Sequence, residues 1–180
     1  EIEAKVEALL KTLTFSEKVH LLTISEQDDP LYGSTSQPGY NSGVPRLGIP
    51  TFRMFDGPAG VNTYYFETTS LPLELLAAAT FDTDMAYNYG SVLGSELESI
   101  GGNWQLGTQF DLGRTASWNR IRDTFGEDYF LVGEMAIAET EGVQENGAMA
   151  MGKHVGAYST NGDKNLNVEV DEQTLHTAYL

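Results

Sequence analysis

The chain has 180 residues, the length of one domain or of part of a larger one. Hydrophobic residues make up 41% of it, which is enough for a core and too much for a disordered chain. Its 10 basic and 26 acidic residues give a net charge of −16, which excludes phosphate-directed nucleic-acid binding and disfavours an anionic membrane surface. The chain has no cysteine, so disulfides, thiolate metal sites and cysteine nucleophiles are excluded as well.

The first third of the chain predicts two helices, a long loop and a strand. Apolar residues recur at helical spacing in the opening segment: Ile2, Val6, Leu9, Leu10 and Leu13. Thr14 and Glu17 have the spacing of a capping box that starts a second helix. Residues 25–50, rich in Gly, Pro, Ser, Asn and Asp, predict a long irregular loop. Residues 51–55 then predict a short strand that ends at Asp56-Gly57-Pro58.

The rest of the chain predicts alternating helices and strands. Residues 69–80 predict a short helix or a packed connector, and Asp82 or Thr83 caps the next helix. The apolar stripe of that helix consists of Met85, Tyr89, Val92, Leu93, Leu97 and Ile100. Further strands are predicted at 104–112 and 148–154, a short extended piece at 168–170, and helices at 129–145 and from Asp171 onward. Such alternation predicts an α/β fold with a parallel sheet, either doubly wound or a barrel. Because the chain begins at Glu1 rather than at a methionine and stops on the apolar Ala178–Leu180, we expect it to be truncated.

Three predicted strand ends carry polar side chains. Asp56 follows the first strand, Arg114 and Arg120 follow the second, and Lys153 and His154 end the third. In parallel α/β folds the ligand site lies at the carboxyl ends of the strands, so these side chains are the candidate site. Ordinary structural roles stay open for each: a turn cap for Asp56, surface salt bridges for the arginines, and a solvated strand end for Lys153-His154.

These residue types suit a sugar. A carboxylate accepts from adjacent hydroxyls, Arg, Lys and His donate to others, and an aromatic ring such as that of Trp118 can stack on an apolar sugar face. No metal or cofactor is predicted. The three histidines show no paired metal-ligand spacing, and neither a glycine-rich phosphate loop nor a G-x-S-x-G elbow is present.

Six segments in order resemble the N-terminal catalytic domain of glycoside hydrolase family three, the β-glucosidase and β-xylosidase group. They lie at residues 13–19, 43–50, 56–61, 76–82, 118–128 and 152–154, and include Asp56-Gly57-Pro58-Ala59-Gly60 and Gly152-Lys153-His154. The resemblance covers almost the whole chain. It implies the first part of a TIM-like (β/α) barrel, with residues 1–180 forming the N-terminal portion of that barrel domain.

The resemblance also implies a function. It assigns Asp56, Arg114, Arg120, Lys153 and His154 to substrate binding in a retaining β-glycosidase that hydrolyses terminal non-reducing β-linked sugars. The nucleophile and the acid/base of such an enzyme are expected outside this chain, so the partners are an oligosaccharide or glycoside substrate, the remainder of the barrel and a second domain. The 180-residue chain alone is then expected to be inactive.

Two other functions stay open at this point. One is a non-catalytic carbohydrate-binding or regulatory half-barrel; the other is a degenerate structural homologue, suggested by Thr115–Asn119, which differ from the family's usual A-R-D-P-R-W-G-R run. For a glycan-degrading enzyme, a secreted or periplasmic location is favoured over the cytoplasm.

Overall fold

The computed structural model describes residues 1–24, 38–63, 66–160 and 167–180. Its helices are α1 (Ile2–Thr12), α2 (Phe15–Leu21), α3 (Glu74–Ala78), α4 (Thr83–Ser99), α5 (Tyr129–Glu145) and α6 (Glu172–Thr174), which continues into a π-helical turn at Leu175–Tyr179. Its strands are β1 (Gly39–Asn41), β2 (Phe52–Phe55), β3 (Trp104–Gln105) and β4 (Met149–Ala150). Short 3₁₀ turns occur at Pro45–Leu47 and Ile121–Asp123.

The four strands form one sheet in the order β1-β2-β3-β4. β2, β3 and β4 are parallel, with Phe55 opposite Gln105 and Gln105 opposite Ala150. The carboxyl ends of these three strands therefore lie side by side, as the helical crossovers α4 and α5 require. The predicted parallel sheet is therefore present in β2, β3 and β4, and β1, which was not predicted, adds an antiparallel edge strand to β2.

The strands differ from the predicted ones in place and length. β1 lies inside the predicted loop 25–50, of which residues 25–37 lie outside the described residues. The predicted strands 104–112 and 148–154 form a regular ladder over two residues each. Beyond it the segments stay connected by irregular backbone bonds, from Met151 to the carbonyls of Gln105 and Gly107 and around an isolated bridge between Gln109 and Lys153. Residues 168–170 join no strand of the sheet, and the predicted last helix divides into α6 and the π-helical turn.

Helices α4 and α5 pack closely against each other and against the sheet. Asp82 caps α4 through its side chain, as predicted, and Asp128 caps α5. A Cβ on Gly90 would lie 2.0 Å from the carbonyl oxygen of Glu139, and one on Gly142 would lie 2.1 Å from that of Tyr87. Glycine therefore allows the two backbones to approach. The core between these helices and β2 is apolar: Phe55, Leu93, Leu97 and Val143 are fully buried.

The first two helices lie at the surface. The capping box is confirmed, since the Thr14 hydroxyl accepts from the backbone N–H of Glu17 and the Glu17 carboxylate accepts from that of Thr14. Arg46 holds the same carboxylate with two bonds of 2.6 Å, and together these contacts lower the pKa of Glu17 to about 2. In the described part of the chain, no helix is both long and apolar enough to cross a membrane.

Candidate functional site

An ion pair joins the ends of β2 and β4. Asp56 directly follows β2, and the Nζ atom of Lys153 donates to its Oδ1 atom over 2.5 Å. The backbone of Lys153 is fixed by two bonds to the segment after β3: its N–H donates to Thr108 and its carbonyl accepts from Phe110, each over 2.9 Å. The Lys153 side chain is 16% exposed and that of Asp56 is 40% exposed, so the carboxylate is the more open member of the pair.

His154 lies next to this pair and is held by a buried aspartate. The Nδ1 atom of His154 is 2.8 Å from Oδ2 of Asp111, whose side chain is 1% exposed. This contact suits the tautomer in which Nδ1 donates to the carboxylate, and among the described residues Nε2 has no hydrogen-bond partner. The ring of Tyr158 lies over the imidazole at 4.1 Å between centroids and fixes its plane.

Arg120 approaches the same group from the loop after β3. Its Nη2 donates to Gln109 over 2.8 Å and its Nε donates to Asp123 over 3.1 Å, while its guanidinium lies 5.8 Å from the centre of the Tyr158 ring. Burial of the guanidinium lowers the pKa of Arg120, but the contacts with Asp123 and Tyr158 have the larger combined effect, so the pKa is raised above its ordinary value. The arginine is therefore a fixed cation that shares Tyr158 with His154.

Four of the five candidate residues thus lie together: Asp56, Arg120, Lys153 and His154. Arg114 contacts none of these four in the described part of the chain. Its Nη1 donates to the Tyr179 hydroxyl over 2.8 Å, and its guanidinium lies 5.7 Å from the centre of that ring. Its predicted contact with sugar stays a prediction.

Trp118 does not present its ring to a ligand. The side chain is 2% exposed and packs edge-on against Tyr158 at 6.2 Å between centroids. The suggestion that Trp118 stacks on a sugar is therefore wrong in this structure, because the loop 113–128 folds back and buries the indole. Tyr158, which contacts both His154 and Arg120, is the aromatic residue of the site.

Two cavities lie near the cluster, and of its four residues His154 alone lines one of them. One of about 410 Å³ is lined by the loop that follows Asp56 and by Arg122 and Asp123. The other, of about 380 Å³, reaches Asp111 and His154 and is otherwise lined mainly by apolar residues of α5 and by the last residues of the chain. The second cavity therefore gives His154 an open side.

Sequence reasoning missed the residues that hold the candidate side chains in place. Asp111 and Gln109 are 4% and 1% exposed and support His154 and Arg120 respectively. The sequence could have indicated both residues, because they are polar and lie within a stretch that was predicted to be a buried strand. A buried polar side chain needs a partner, and in this case the partners are the site residues.

The cluster has the chemistry of a polyhydroxyl-binding site. It combines one partly open carboxylate with three cationic or imidazole donors fixed by other side chains. Within the described residues, no group of three or more metal-ligating side chains is present that could hold an ion.

Comparison with known proteins gives a consistent result. The family model described as "Glycosyl hydrolase family 3 N terminal domain" matches residues 26–180. Beta-glucosidase 1 of Saccharomycopsis fibuligera is 38% identical over 156 residues, which cover 86% of this chain and 17% of that protein. The chain thus spans about a fifth of the length of such relatives.

Two solved structures share the fold. A beta-glucosidase from Streptomyces venezuelae, solved in complex with D-glucose, matches with a TM-score of 0.84 and 35% identity over 94% of this chain and 21% of its own. A beta-glucosidase from Chaetomella raphigera matches with a TM-score of 0.88 and 26% identity over 98% of this chain and 24% of its own. The expected fold class is confirmed: the chain has the α/β fold of part of a TIM-like barrel.

Proposed function

The chain belongs to glycoside hydrolase family 3, and we propose that it forms the glucoside-binding part of a retaining β-glucosidase. Such an enzyme hydrolyses terminal non-reducing β-linked glucose. The observation that carries this proposal is the cluster of Asp56, Lys153, His154 and Arg120 beside the carboxyl ends of parallel strands. Relatives named beta-glucosidases, one of them solved with D-glucose, support the substrate class.

The cluster recognises hydroxyl groups by complementary hydrogen bonds. Lys153 occupies one carboxylate oxygen of Asp56, and the other, which has no partner among the described residues, can accept from a sugar hydroxyl. Lys153, His154 Nε2 and Arg120 donate to neighbouring hydroxyls. Because Asp111, Gln109 and Asp123 already fix these donors, little side-chain entropy is lost when sugar binds.

We place neither catalytic carboxylate in these 180 residues. A retaining glycosidase needs a nucleophile and an acid/base about 5 Å apart. The carboxylate of the cluster, Asp56, is engaged by Lys153, and the two supporting carboxylates, Asp111 and Asp123, are engaged by His154 and Arg120. We propose that the nucleophile and the acid/base come from further polypeptide, and we expect the chain alone not to hydrolyse glycosides.

That further polypeptide also completes the barrel. In the described part of the chain, β4 pairs on one side only, with β3, so its other edge is open to a next strand. Phe130 and Ile137 of α5 are 68% and 57% exposed, as expected of a helix that packs against a neighbour. A second domain is the proposed source of the acid/base. A secreted or periplasmic location is part of this proposal, and cell fractionation tests it.

Replacement of Asp56 tests the proposed function. In the complete enzyme, Asp56→Asn removes the charge that holds Lys153 and accepts from sugar, and should lower kcat/KM for an aryl β-glucoside by about 100-fold or more. Asp84→Asn, on the exposed first turn of α4, is the matched control and should leave activity unchanged. A kcat/KM of Asp56→Asn within about threefold of wild type would contradict the assignment.

A further inference from the structure

The cavity of about 410 Å³ lies directly beside the cluster that is proposed to bind glucose. One of its walls begins at Gly57, the residue that follows Asp56, and another contains Asp123, which accepts from Arg120. None of the four cluster residues lines it. A glucose unit bound by the cluster therefore does not account for this cavity, whose volume is within the range of about 300–1,000 Å³ that is usual for small-molecule sites.

Backbone contacts fix the walls of this cavity. The loop 57–63 is joined to the segment 68–71 by a hydrogen bond of 3.0 Å, in which the Leu71 N–H donates to the Ala59 carbonyl. A Cβ on Gly60 would lie 2.2 Å from a carbonyl oxygen of the second segment, so the two segments meet with no space for a side chain between them. The cavity is therefore preformed, which reduces the conformational entropy that is lost when a ligand binds.

Three side chains of the lining carry polar groups that no residue in the described part of the chain occupies. The Asn62 amide and the Ser70 hydroxyl have no hydrogen-bond partner there, and both residues are exposed. The Arg122 guanidinium contacts Asp123 through Nε at 3.4 Å, which leaves both of its Nη groups for a ligand. An amide, a hydroxyl and a guanidinium all form hydrogen bonds with sugar hydroxyl groups, so the lining suits a sugar.

One carboxylate connects the cavity to the cluster. The Oδ2 atom of Asp123 accepts from Arg120 over 3.1 Å, and its Oδ1 atom lies 3.4 Å from Nε of Arg122. The guanidinium group of the cluster and that of the cavity therefore contact the two oxygens of a single side chain. Neighbouring units of an oligosaccharide are joined through one oxygen atom, so the positions that bind them must also lie side by side.

We propose that the cavity bounded by the loop 57–63, Ser70 and Arg122 is a second subsite, which binds the sugar linked to the glucose unit in the cluster. In the proposed function that glucose unit is the non-reducing end, so the cavity holds the sugar that hydrolysis releases. Arg122 donates to its hydroxyl groups, and the Asn62 amide and the Ser70 hydroxyl donate to or accept from them. An aglycone without hydroxyl groups cannot form these bonds, so the subsite favours disaccharides and longer β-glucosides. This assignment rests on the proposed function.

Substrates that share the glucose unit and differ in the leaving group separate the subsite from the cluster. The disaccharide is whichever of sophorose, laminaribiose, cellobiose and gentiobiose the complete wild-type enzyme hydrolyses best. Arg122→Ala should lower kcat/KM for it by about 10-fold or more, because charge-assisted bonds to the leaving sugar are lost. For phenyl β-glucoside, whose aglycone has no hydroxyl group, kcat/KM should stay within about twofold of wild type.

A second variant and a control accompany this change. Asn62→Leu keeps the approximate size of the side chain and removes its amide, and should lower kcat/KM for the disaccharide alone by about threefold or more. Lys5→Ala, at a 73% exposed side chain of α1, is the control and should leave kcat/KM unchanged for both substrates.

The possible results distinguish the subsite from the proposed function. A decrease confined to the disaccharide in Arg122→Ala or Asn62→Leu supports the subsite, and its absence from both variants overturns it. A wild-type enzyme that hydrolyses phenyl β-glucoside but none of the disaccharides also overturns the subsite, while the proposed function stands. A wild-type enzyme that hydrolyses neither kind of substrate contradicts the proposed function and, with it, the subsite.

Discussion

The ion pair between Asp56 and Lys153 joins residues 97 positions apart in the sequence. Local structure alone does not bring the two residues together, because their contact depends on the parallel alignment of β2, β3 and β4. The alternation of helices and strands predicted this alignment, and so predicted that Asp56 and Lys153 end at the same edge of the sheet. What each side chain does there is fixed by long-range contacts that no sequence spacing encodes.

The supporting residues show where prediction from sequence ended. Arg120 and His154 were identifiable as polar residues near strand ends, but their partners Gln109 and Asp111 lay within a stretch predicted as plain buried strand. Trp118 was expected to contact ligand because it is aromatic and lies in a loop, yet it is buried against Tyr158. Residue type predicts what a side chain can bind; only the packing decides whether it is exposed to do so.

Arg120 provides a test at the level of one side chain. Arg120→Lys keeps the positive charge but loses the planar fork that contacts Gln109 and Asp123 at once. We expect KM for an aryl β-glucoside to rise by about 10-fold, because one or two charge-assisted bonds are lost. Steady-state kinetics measure this. Lys5→Arg, the reverse exchange at a 73% exposed side chain of α1, is the control and should leave KM unchanged. Equal KM values for the two variants would rule out a binding role for Arg120.

At the level of secondary structure, helices were predicted better than strands. Helical periodicity extends over many residues, so one or two exceptions do not hide it. The strands are much shorter: the segments predicted at 104–112 and 148–154 form regular strands of only two residues each. β1 was missed because Gly39–Asn41 lies in a segment of turn-forming residues and is a strand only through its pairing with β2. In α4 the predicted stripe was partly wrong: Met85 and Val92 are exposed, and Ala86, Gly90 and Gly94 are buried instead. Small residues occur on the face of α4 that packs against α5, because the two helices approach each other closely there.

Two glycines of α5 test this packing. Gly142→Ala places a Cβ 2.1 Å from the backbone oxygen of Tyr87, which cannot move without separating α4 from α5. We expect the free energy of unfolding to fall by about 2 kcal/mol or more. Gly133→Ala in the same helix meets nothing within 4 Å and should raise it by up to about 1 kcal/mol through helix propensity. Urea unfolding of both variants measures the difference. The packing argument fails if Gly142→Ala is as stable as Gly133→Ala.

At the level of the whole molecule, the family resemblance predicted more of the architecture than composition, charge and periodicity did. Composition and charge excluded classes of partner, and alternation gave an α/β fold without deciding between a barrel and an open sheet. The family resemblance made that decision, and the solved relatives confirm it. The open edge of β4 and the exposed apolar side chains of α5 are consistent with one part of a barrel rather than a closed unit.

The central claim is that the cluster at the carboxyl ends of β2, β3 and β4 binds the glucose unit of a glucoside. A crystal structure of the complete enzyme soaked with glucose tests it most directly. The account predicts glucose with hydroxyl groups within hydrogen-bond distance of Asp56, Lys153, His154 and Arg120, and with the pair Asp56–Lys153 still in contact. Glucose bound elsewhere in the enzyme, with these four side chains facing only solvent or protein, would contradict it.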